Sequence, residues 1–268
     1  EVLPIPFADA NYNDKLILLI PDVFTRDECS AFISALCKQQ QEKAQKNAAP
    51  KESNHEDQLP RQVNEIVQLV KYNSTEDCFI TPKLYERVKH LLPKELPGGK
   101  ILVGPHSKVR FLSYHPETKD FLYPHYDTPS FDFNIPDCET ILTAQLYLNE
   151  NFEEEQSSSK QYYTINHTVK YNGATRFVYC GELFNDKVKV LEQFQHEKKQ
   201  AEKLTAYDAK TVLLGQYIIP EELPNEGLDV IPTTGSVLVH VHDVLHCAMP
   251  VKTHTKYVLR LDVLYKNK

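Results

Sequence analysis

KVRFLSYH (residues 108–115), FLYPHYD (121–127) and TILTAQLYLN (140–149) are short runs rich in β-branched and aromatic residues, and turn residues separate them. Five further runs of this kind occur in the same part of the chain: KILVG (100–104), QYYTINHTVKYN (161–172), ATRFVYCG (174–181), TTGSVLVHVH (233–242) and KYVLRLDVLY (256–265). Short strands at such spacing are typical of an antiparallel sandwich, jelly roll or barrel. We therefore predict a β-sheet core from about residue 101 to residue 268.

The first hundred residues have a helical pattern instead. Thr25 and Glu28 fit a capping box, in which each side chain satisfies a free backbone N–H group at a helix start. The apolar residues that follow share one face of a helix over 26–42: Cys29, Phe32, Ile33, Leu36 and Cys37. A second apolar stripe, formed by Leu84, Val88, Leu91 and Leu92, predicts a helix over 82–92. We expect an α+β protein in which a helical region (1–100) supports the sheet core.

Three polar segments interrupt this pattern. Residues 44–60 and the acidic, serine-rich stretch 149–160 are predicted to be surface loops. Residues 186–204 have a single apolar side and predict an exposed helix.

The charge of the chain disfavours two classes of partner. The 268 residues include 37 acidic and 30 basic side chains, and the formal net charge is −7. An acidic protein is poorly suited to bind nucleic acid or an anionic membrane surface. No apolar run approaches the roughly 18 residues of a membrane span, so we predict neither partner.

The cysteines favour an intracellular protein. They do not form a CxxC pair, so a disulfide scaffold or a cysteine zinc site is not expected. Reduced thiols predict a cytoplasmic or nuclear protein. Because the chain begins without Met, secretion by way of a removed signal segment is kept as an alternative. The six positions are Cys29, Cys37, Cys78, Cys138, Cys180 and Cys247.

His125 and Asp127 form a His-x-Asp pair on a predicted strand. Alternate residues of a strand share a face, so both side chains can reach one small ion. Two histidines and one carboxylate bind non-haem Fe(II) and leave positions open for a co-substrate and O2. The candidates for the second histidine are His240, His242 and His246, all within one segment near the C-terminus.

Lys256 follows His246 by ten residues and lies in an apolar run. A buried lysine is costly without a partner. The position therefore predicts an anionic group opposite its side chain.

These motifs resemble the 2-oxoglutarate- and Fe(II)-dependent dioxygenases, and they are most similar to the prolyl 4-hydroxylase-like branch. The resemblance covers about residues 105–148 and 172–265, with a weaker match to the N-terminal helices. It rests on the chain order of six pieces: RFLSYHP, FLYPHYD, QLYLNENF, GATRF, PTTGSVLV and VLHCAMPVKTHTKYVL. It implies a double-stranded β-helix (jelly roll) for the core, with packing helices before it.

The resemblance also assigns roles to residues of this chain. It implies that His125, Asp127 and His246 hold Fe(II), and that Lys256 and Tyr147 hold the distal carboxylate of 2-oxoglutarate. Three further residues fall near this pocket. Tyr114 matches a tyrosine beside the metal, while Thr143 and Gln145 share the strand face of Tyr147.

Arg260 shares the strand face of Lys256. We expect it to contact 2-oxoglutarate, as a second or substitute partner of the carboxylate, or to contact the substrate.

The resemblance implies hydroxylation of an unactivated C–H bond, with Fe(II), 2-oxoglutarate and O2 as cofactor and co-substrates and ascorbate as a candidate reductant. The expected substrate is a prolyl residue in a peptide or protein, and a free amino acid or small metabolite is the second candidate. Two hypotheses place the chain outside this reaction. One is a cupin-like metal enzyme without a co-substrate, and the other is a non-catalytic jelly-roll binding module.

The chain departs from the family pattern in two places. Ala174 stands where relatives usually have a second glycine, and an insertion over about 182–231 replaces a short connection. The insertion is expected to be a lid, a partner surface or a segment without a functional role. The oligomeric state is not predicted.

Overall fold

The fold was obtained as a computed structural model. It describes residues 3–4, 15–46, 64–69, 80–117, 120–132, 135–150, 162–165, 173–178 and 227–268. These residues form two antiparallel β-sheets and two α-helices. The predicted fold class, an α+β protein with a double-stranded β-helix, is confirmed.

Fourteen strands and two helices can be assigned within the described ranges. The helices are α1 (Arg26–Lys46) and α2 (Ile80–Val88), and a 3₁₀ turn over Lys89–Leu91 extends the second one. The strands are β1 (Leu3–Pro4), β2 (Ile17–Ile20), β3 (Asn64–Leu69), β4 (Glu95–Leu96), β5 (Lys100–Tyr114), β6 (Leu122–His125), β7 (Phe131–Asp132), β8 (Ile135–Tyr147), β9 (Tyr163–Ile165), β10 (Thr175–Val178), β11 (Gly227–Val230), β12 (Val237–Val241), β13 (His246–Ala248) and β14 (Lys256–Asn267).

The strands divide into a larger and a smaller sheet. The larger sheet has the order β1-β2-β12-β8-β14-β5-β3, with β4 paired to β5 and β7 paired to β8. The smaller sheet has the order β6-β13-β10-β11-β9. Neighbours in both sheets are mostly distant in sequence, as in a jelly roll.

The central strands of the larger sheet bury both faces. One face packs against the helices and the other against the smaller sheet. Side-chain alternation separates the two sets. The helix side is apolar and contains Leu142, Ala144 and Leu146 of β8, Val237 and Val239 of β12, and Leu259, Leu261 and Val263 of β14. The side toward the smaller sheet carries most of the polar side chains predicted to have a function.

The predicted capping box at the start of α1 is present. The Thr25 backbone N–H donates to the Glu28 carboxylate (3.0 Å), and the Glu28 N–H donates to the Thr25 hydroxyl (3.2 Å). The Arg87 guanidinium of α2 donates to both oxygens of Glu28 at 2.6 and 2.9 Å. This ion pair joins the two helices where they cover the sheet.

The N-terminal region is less purely helical than predicted. β2 pairs with β12, and β3 pairs with β5, so residues before 100 extend the larger sheet on both sides. These two strands are only four and six residues long. Such short runs have too little periodicity to distinguish a strand from a loop.

Gly235 precedes β12 in a turn that only glycine fits. Its φ angle is +80°, and a Cβ atom there would lie 1.9 Å from the Phe24 carbonyl oxygen. The Gly235 carbonyl accepts hydrogen bonds from the N–H groups of Val23 and Phe24. The turn therefore joins the start of α1 to the strand that carries His240.

Some of the predicted elements lie outside the described residues. They are nearly all of the 44–60 and 149–160 loops, the 186–204 helix and most of the 182–231 insertion. None of the helices in the described ranges is long and apolar enough to cross a membrane.

Candidate metal centre

Two strands of the smaller sheet bring His125 and His246 together. The residues are direct partners in the antiparallel register of β6 and β13. Asp127 follows β6, and its backbone N–H donates to the His242 carbonyl at 3.1 Å. That bond ties the segment after β6 to the end of β12, in the larger sheet.

The three side chains converge. Asp127 Oδ1 lies 3.6 Å from His125 Nε2, and Asp127 Oδ2 lies 3.8 Å from His246 Nε2. One possible ligand atom from each residue lies within 4.8 Å of the other two. Asp127 and His246 are buried, and His125 is partly buried. The His-x-Asp pair and His246 are thus adjacent although 119 positions separate Asp127 from His246.

A hydrogen bond at Nδ1 of His246 leaves the Nε2 lone pair available to a metal. Nδ1 lies 2.9 Å from the Val244 carbonyl oxygen, which can only accept a hydrogen bond. The proton therefore belongs on Nδ1, and the Nε2 lone pair faces Asp127. Burial and the adjacent His125 hold the pKa of His246 well below its ordinary value, so the imidazole is neutral.

Asp127 is ionised despite its burial. Burial alone would raise the pKa of Asp127, but the charge of the Arg260 guanidinium holds the pKa well below its usual range. Two imidazoles and one carboxylate are the donors that suit Fe(II) with open positions. The residues present therefore fit a ferrous ion.

His240 lies beside this cluster. Its Nε2 is 4.0 Å from Asp127 Oδ2, and its ring centroid is 4.5 Å from that of His246. Nδ1 contacts the Val241 carbonyl, while Nε2 is buried without a hydrogen-bond partner among the described residues. Of the sequence candidates, His246 joins the group with His125, and His240 lies alongside it.

His242 faces a different acidic residue. Its Nε2 lies 3.9 Å from Asp262 Oδ1, and the side chain is buried. Neither ring nitrogen has a hydrogen-bond partner within the described part of the chain. The third candidate histidine is therefore directed toward Asp262, which the sequence analysis did not single out.

Lys256 is a buried cation without a carboxylate partner in the described ranges. The residue is 1% exposed, and Nζ donates to the Gly173 carbonyl at 2.6 Å. The rings of Tyr114 and Tyr147 lie 5.0 and 5.5 Å from Nζ. Burial lowers the pKa of Lys256 to about 7. The surroundings suit an incoming anion, which would restore the charged form.

Tyr147 and Gln145 share one acceptor on the smaller sheet. The Tyr147 hydroxyl donates to Thr175 Oγ1 at 2.8 Å, and the Gln145 side-chain amide donates to the same atom at 3.0 Å. Burial raises the pKa of Tyr147, so its hydroxyl stays protonated. Sequence reasoning missed Thr175, although it lies within the GATRF motif.

Arg260 forms ion pairs with two aspartates of this chain. Nη1 lies 2.7 Å from Asp127 Oδ1, and Nε donates to Asp262 Oδ1 at 2.9 Å. The sequence analysis expected a contact to 2-oxoglutarate or the substrate. That contact stays a prediction; among the described residues the guanidinium contacts a candidate metal ligand, because the inward-facing side chains of β14 lie next to those that follow β6.

Comparisons with known proteins bear on the fold. No protein-family model matches the chain, and a search among curated proteins finds no significant match. Among solved structures, the viral collagen prolyl hydroxylase vCPH from Paramecium Bursaria Chlorella virus-1, in complex with 2-oxoglutarate, aligns with a TM-score of 0.48 at 14% identity. The alignment covers 93% of this chain and 96% of that one.

Two other structures align over 96% of the chain. HygX from Streptomyces hygroscopicus, with nickel and 2-oxoglutarate bound, has a TM-score of 0.49 at 13% identity, and 85% of it is covered. EvdMO1 has a TM-score of 0.50 at 14% identity, and this chain spans about half of it (48%). Identity this low shows a shared fold and no more.

Proposed function

We propose that this chain is an Fe(II)- and 2-oxoglutarate-dependent dioxygenase that hydroxylates an unactivated C–H bond. The observation that carries the proposal is the His125–Asp127–His246 group, whose donors suit a ferrous ion. A second observation supports 2-oxoglutarate as co-substrate. Lys256 is a buried cation with a neutral carbonyl as its hydrogen-bond partner, and it lies on the strand that follows His246.

Three side chains of this chain are the proposed metal ligands. His125, Asp127 and His246 would hold Fe(II) and leave the remaining positions to 2-oxoglutarate and O2. The iron supplies the redox chemistry for which protein side chains have no equivalent. In the overall reaction, R–H, 2-oxoglutarate and O2 give R–OH, succinate and CO2, with one oxygen atom in the alcohol and one in succinate.

Lys256 and Tyr147 would hold the carboxylate of 2-oxoglutarate that is remote from the metal. A charge-assisted hydrogen bond from a buried ammonium is strong because little water competes for it. The Tyr147 hydroxyl lies on the same side of the larger sheet. Tyr114 would form part of the wall beside the ammonium group. Arg260 is not needed for this contact, since its charge is already shared between two aspartates.

The pKa of Lys256 predicts how co-substrate affinity depends on pH. The free side chain has a pKa of about 7, and binding of a dicarboxylate requires the protonated form. Affinity should therefore be highest below pH 7 and fall by up to about tenfold per pH unit above it. Titration calorimetry with 2-oxoglutarate and Mn(II) between pH 6 and 9 measures this. Lys256→Arg, which stays charged, should flatten the profile; an equally flat profile in the parent protein would contradict the role.

For the substrate, we propose a prolyl residue in a peptide or protein, on the strength of the sequence resemblance to the prolyl 4-hydroxylase-like branch. A free amino acid or small metabolite is the second candidate. The division into a support region (1–100) and a core (101–268) that contains the 182–231 insertion belongs to the same proposal.

The experiment that tests the function combines a co-substrate assay with mass spectrometry. The purified chain is incubated with Fe(II), 2-oxoglutarate, ascorbate and a library of proline-containing peptides or amino acids. We expect equimolar succinate and a product that gains one oxygen atom, labelled when ¹⁸O2 replaces O2. Product formation without 2-oxoglutarate would favour a cupin-like metal enzyme. A chain that neither binds Fe(II) nor consumes 2-oxoglutarate would be a binding module.

A further inference from the structure

We propose that Arg260 is a positioning residue that holds Asp127 in the orientation required of a metal ligand, and that Asp262 anchors it. This inference rests on the proposed metal site. It gives Arg260 a role distinct from the co-substrate contact that the sequence suggested.

The geometry of Arg260 supports this role. Its side chain is buried between the two sheets, and separate nitrogens reach separate carboxylates. Nη1 contacts Asp127 Oδ1 at 2.7 Å, and Nε donates to Asp262 Oδ1 at 2.9 Å. A guanidinium is planar and rigid, so two simultaneous contacts fix the position of both partners.

Thr143 completes the arrangement from the neighbouring strand. Its hydroxyl lies 2.7 Å from Asp127 Oδ2 and 3.2 Å from Asp262 Oδ1. Thr143 is opposite Asp262 in the register of β8 and β14. Arg260 and Thr143 therefore contact different oxygens of Asp127, and each oxygen has a further lone pair that can face a metal. The carboxylate plane is set before any ion arrives.

A second buried ion pair in the same fold provides a matched control. Arg176 of β10 contacts Asp229 of β11 at 2.6 Å, and both side chains are as buried as those of the Arg260 group. Arg176 alternates with Phe177, whose ring lies near His246, so it faces away from the metal ligands. Loss of this pair should disturb the fold and leave the metal site intact.

The test measures Mn(II) and Co(II) affinity by titration calorimetry, with the folded fraction checked by near-ultraviolet circular dichroism. Arg260→Met should weaken both metals by about 10- to 100-fold, the usual effect of losing a partner of a metal ligand. Arg260→Lys should restore part of the affinity. Arg176→Met should leave it within about twofold, since Arg176 pairs with Cys247 and faces the side of the smaller sheet that is opposite to His246. The Co(II) visible spectrum should change only in the Arg260 variants.

The outcomes separate the possible failures. If the parent protein bound neither Mn(II) nor Co(II), that result would contradict the proposed function itself. A parent that binds metal while R260M binds it equally tightly would overturn the inference alone, as would an equal loss in R176M. If R260M does not fold, Asp262→Asn removes the anchor and keeps Arg260. That variant should bind metal about tenfold more weakly, and unchanged affinity would also overturn the inference.

Discussion

Replacement of Asp127 by alanine is expected to abolish succinate formation at any practical Fe(II) concentration. The variant loses one of three proposed ligands and the only carboxylate among them. Metal affinity should fall by more than about 100-fold, the upper range for loss of an outer partner of a ligand. The measurements are Mn(II) binding by calorimetry and Fe(II)-dependent conversion of 2-oxoglutarate to succinate.

Asp127→Ala also leaves Arg260 with a single carboxylate, so a control must exclude a general effect of losing a negative charge. Asp137→Asn is suitable because Asp137 is exposed, and its positive φ angle of 61° is one that asparagine tolerates. This control should retain full activity. Turnover by Asp127→Ala at the parent rate with added Fe(II) would refute the ligand assignment.

The same assay distinguishes His246 from its neighbour. His246→Ala should behave like Asp127→Ala, whereas His240→Ala should keep most of the metal affinity, because His125, Asp127 and His246 remain. If His240→Ala lost metal binding and His246→Ala kept it, His240 rather than His246 would be the metal ligand.

Replacement of Lys256 by methionine is expected to have the second-largest effect, which is on co-substrate affinity and not on metal affinity. Removal of one partner from a buried charge pair costs about 2–5 kcal/mol. That cost corresponds to an increase of roughly 30- to 4,000-fold in the Kd for 2-oxoglutarate at 1.4 kcal/mol per factor of ten. Mn(II) affinity in the absence of 2-oxoglutarate should be unchanged, since Lys256 is not in the metal group.

The same substitution should raise the thermal stability of the ligand-free protein. Lys256 is 1% exposed, and no carboxylate of the described residues offsets its charge. Methionine has a similar length and does not carry the cost of a buried cation. Calorimetric scans at pH 7 should therefore show a higher Tm for K256M than for the parent.

Lys266→Met is the matched control for both measurements. Lys266 lies on the same strand, β14, and is exposed. Its substitution should change neither Tm nor the Kd for 2-oxoglutarate. If K256M bound 2-oxoglutarate as tightly as the parent, the co-substrate would be held elsewhere.

Much of the architecture follows from local patterns. The capping box of Thr25 and Glu28 and the apolar stripe after it specify α1, because both features act within one helix. The β-branched runs after residue 100 predict strands, and their number and spacing predict a sandwich, jelly roll or barrel. The resemblance to a known family selected the jelly roll among these. The two-residue repeat of a strand predicted that His125 and Asp127 share a face; β6 ends at His125, and Asp127 reaches the same group from the segment after it.

The remaining features depend on the tertiary structure. Strand alternation indicates that His240 and Arg260 face inward, but it carries no information about which side chain lies opposite on another strand. The pairing of β6 with β13 brings His246 to His125, while β14 and β8 carry Arg260 and Thr143 to Asp127. Distances across a sandwich are set by the packing of two sheets whose strands are far apart in sequence. The chain alone thus determined the candidate ligands, and the three-dimensional arrangement decided which of them meet and which side chain holds Asp127 in place.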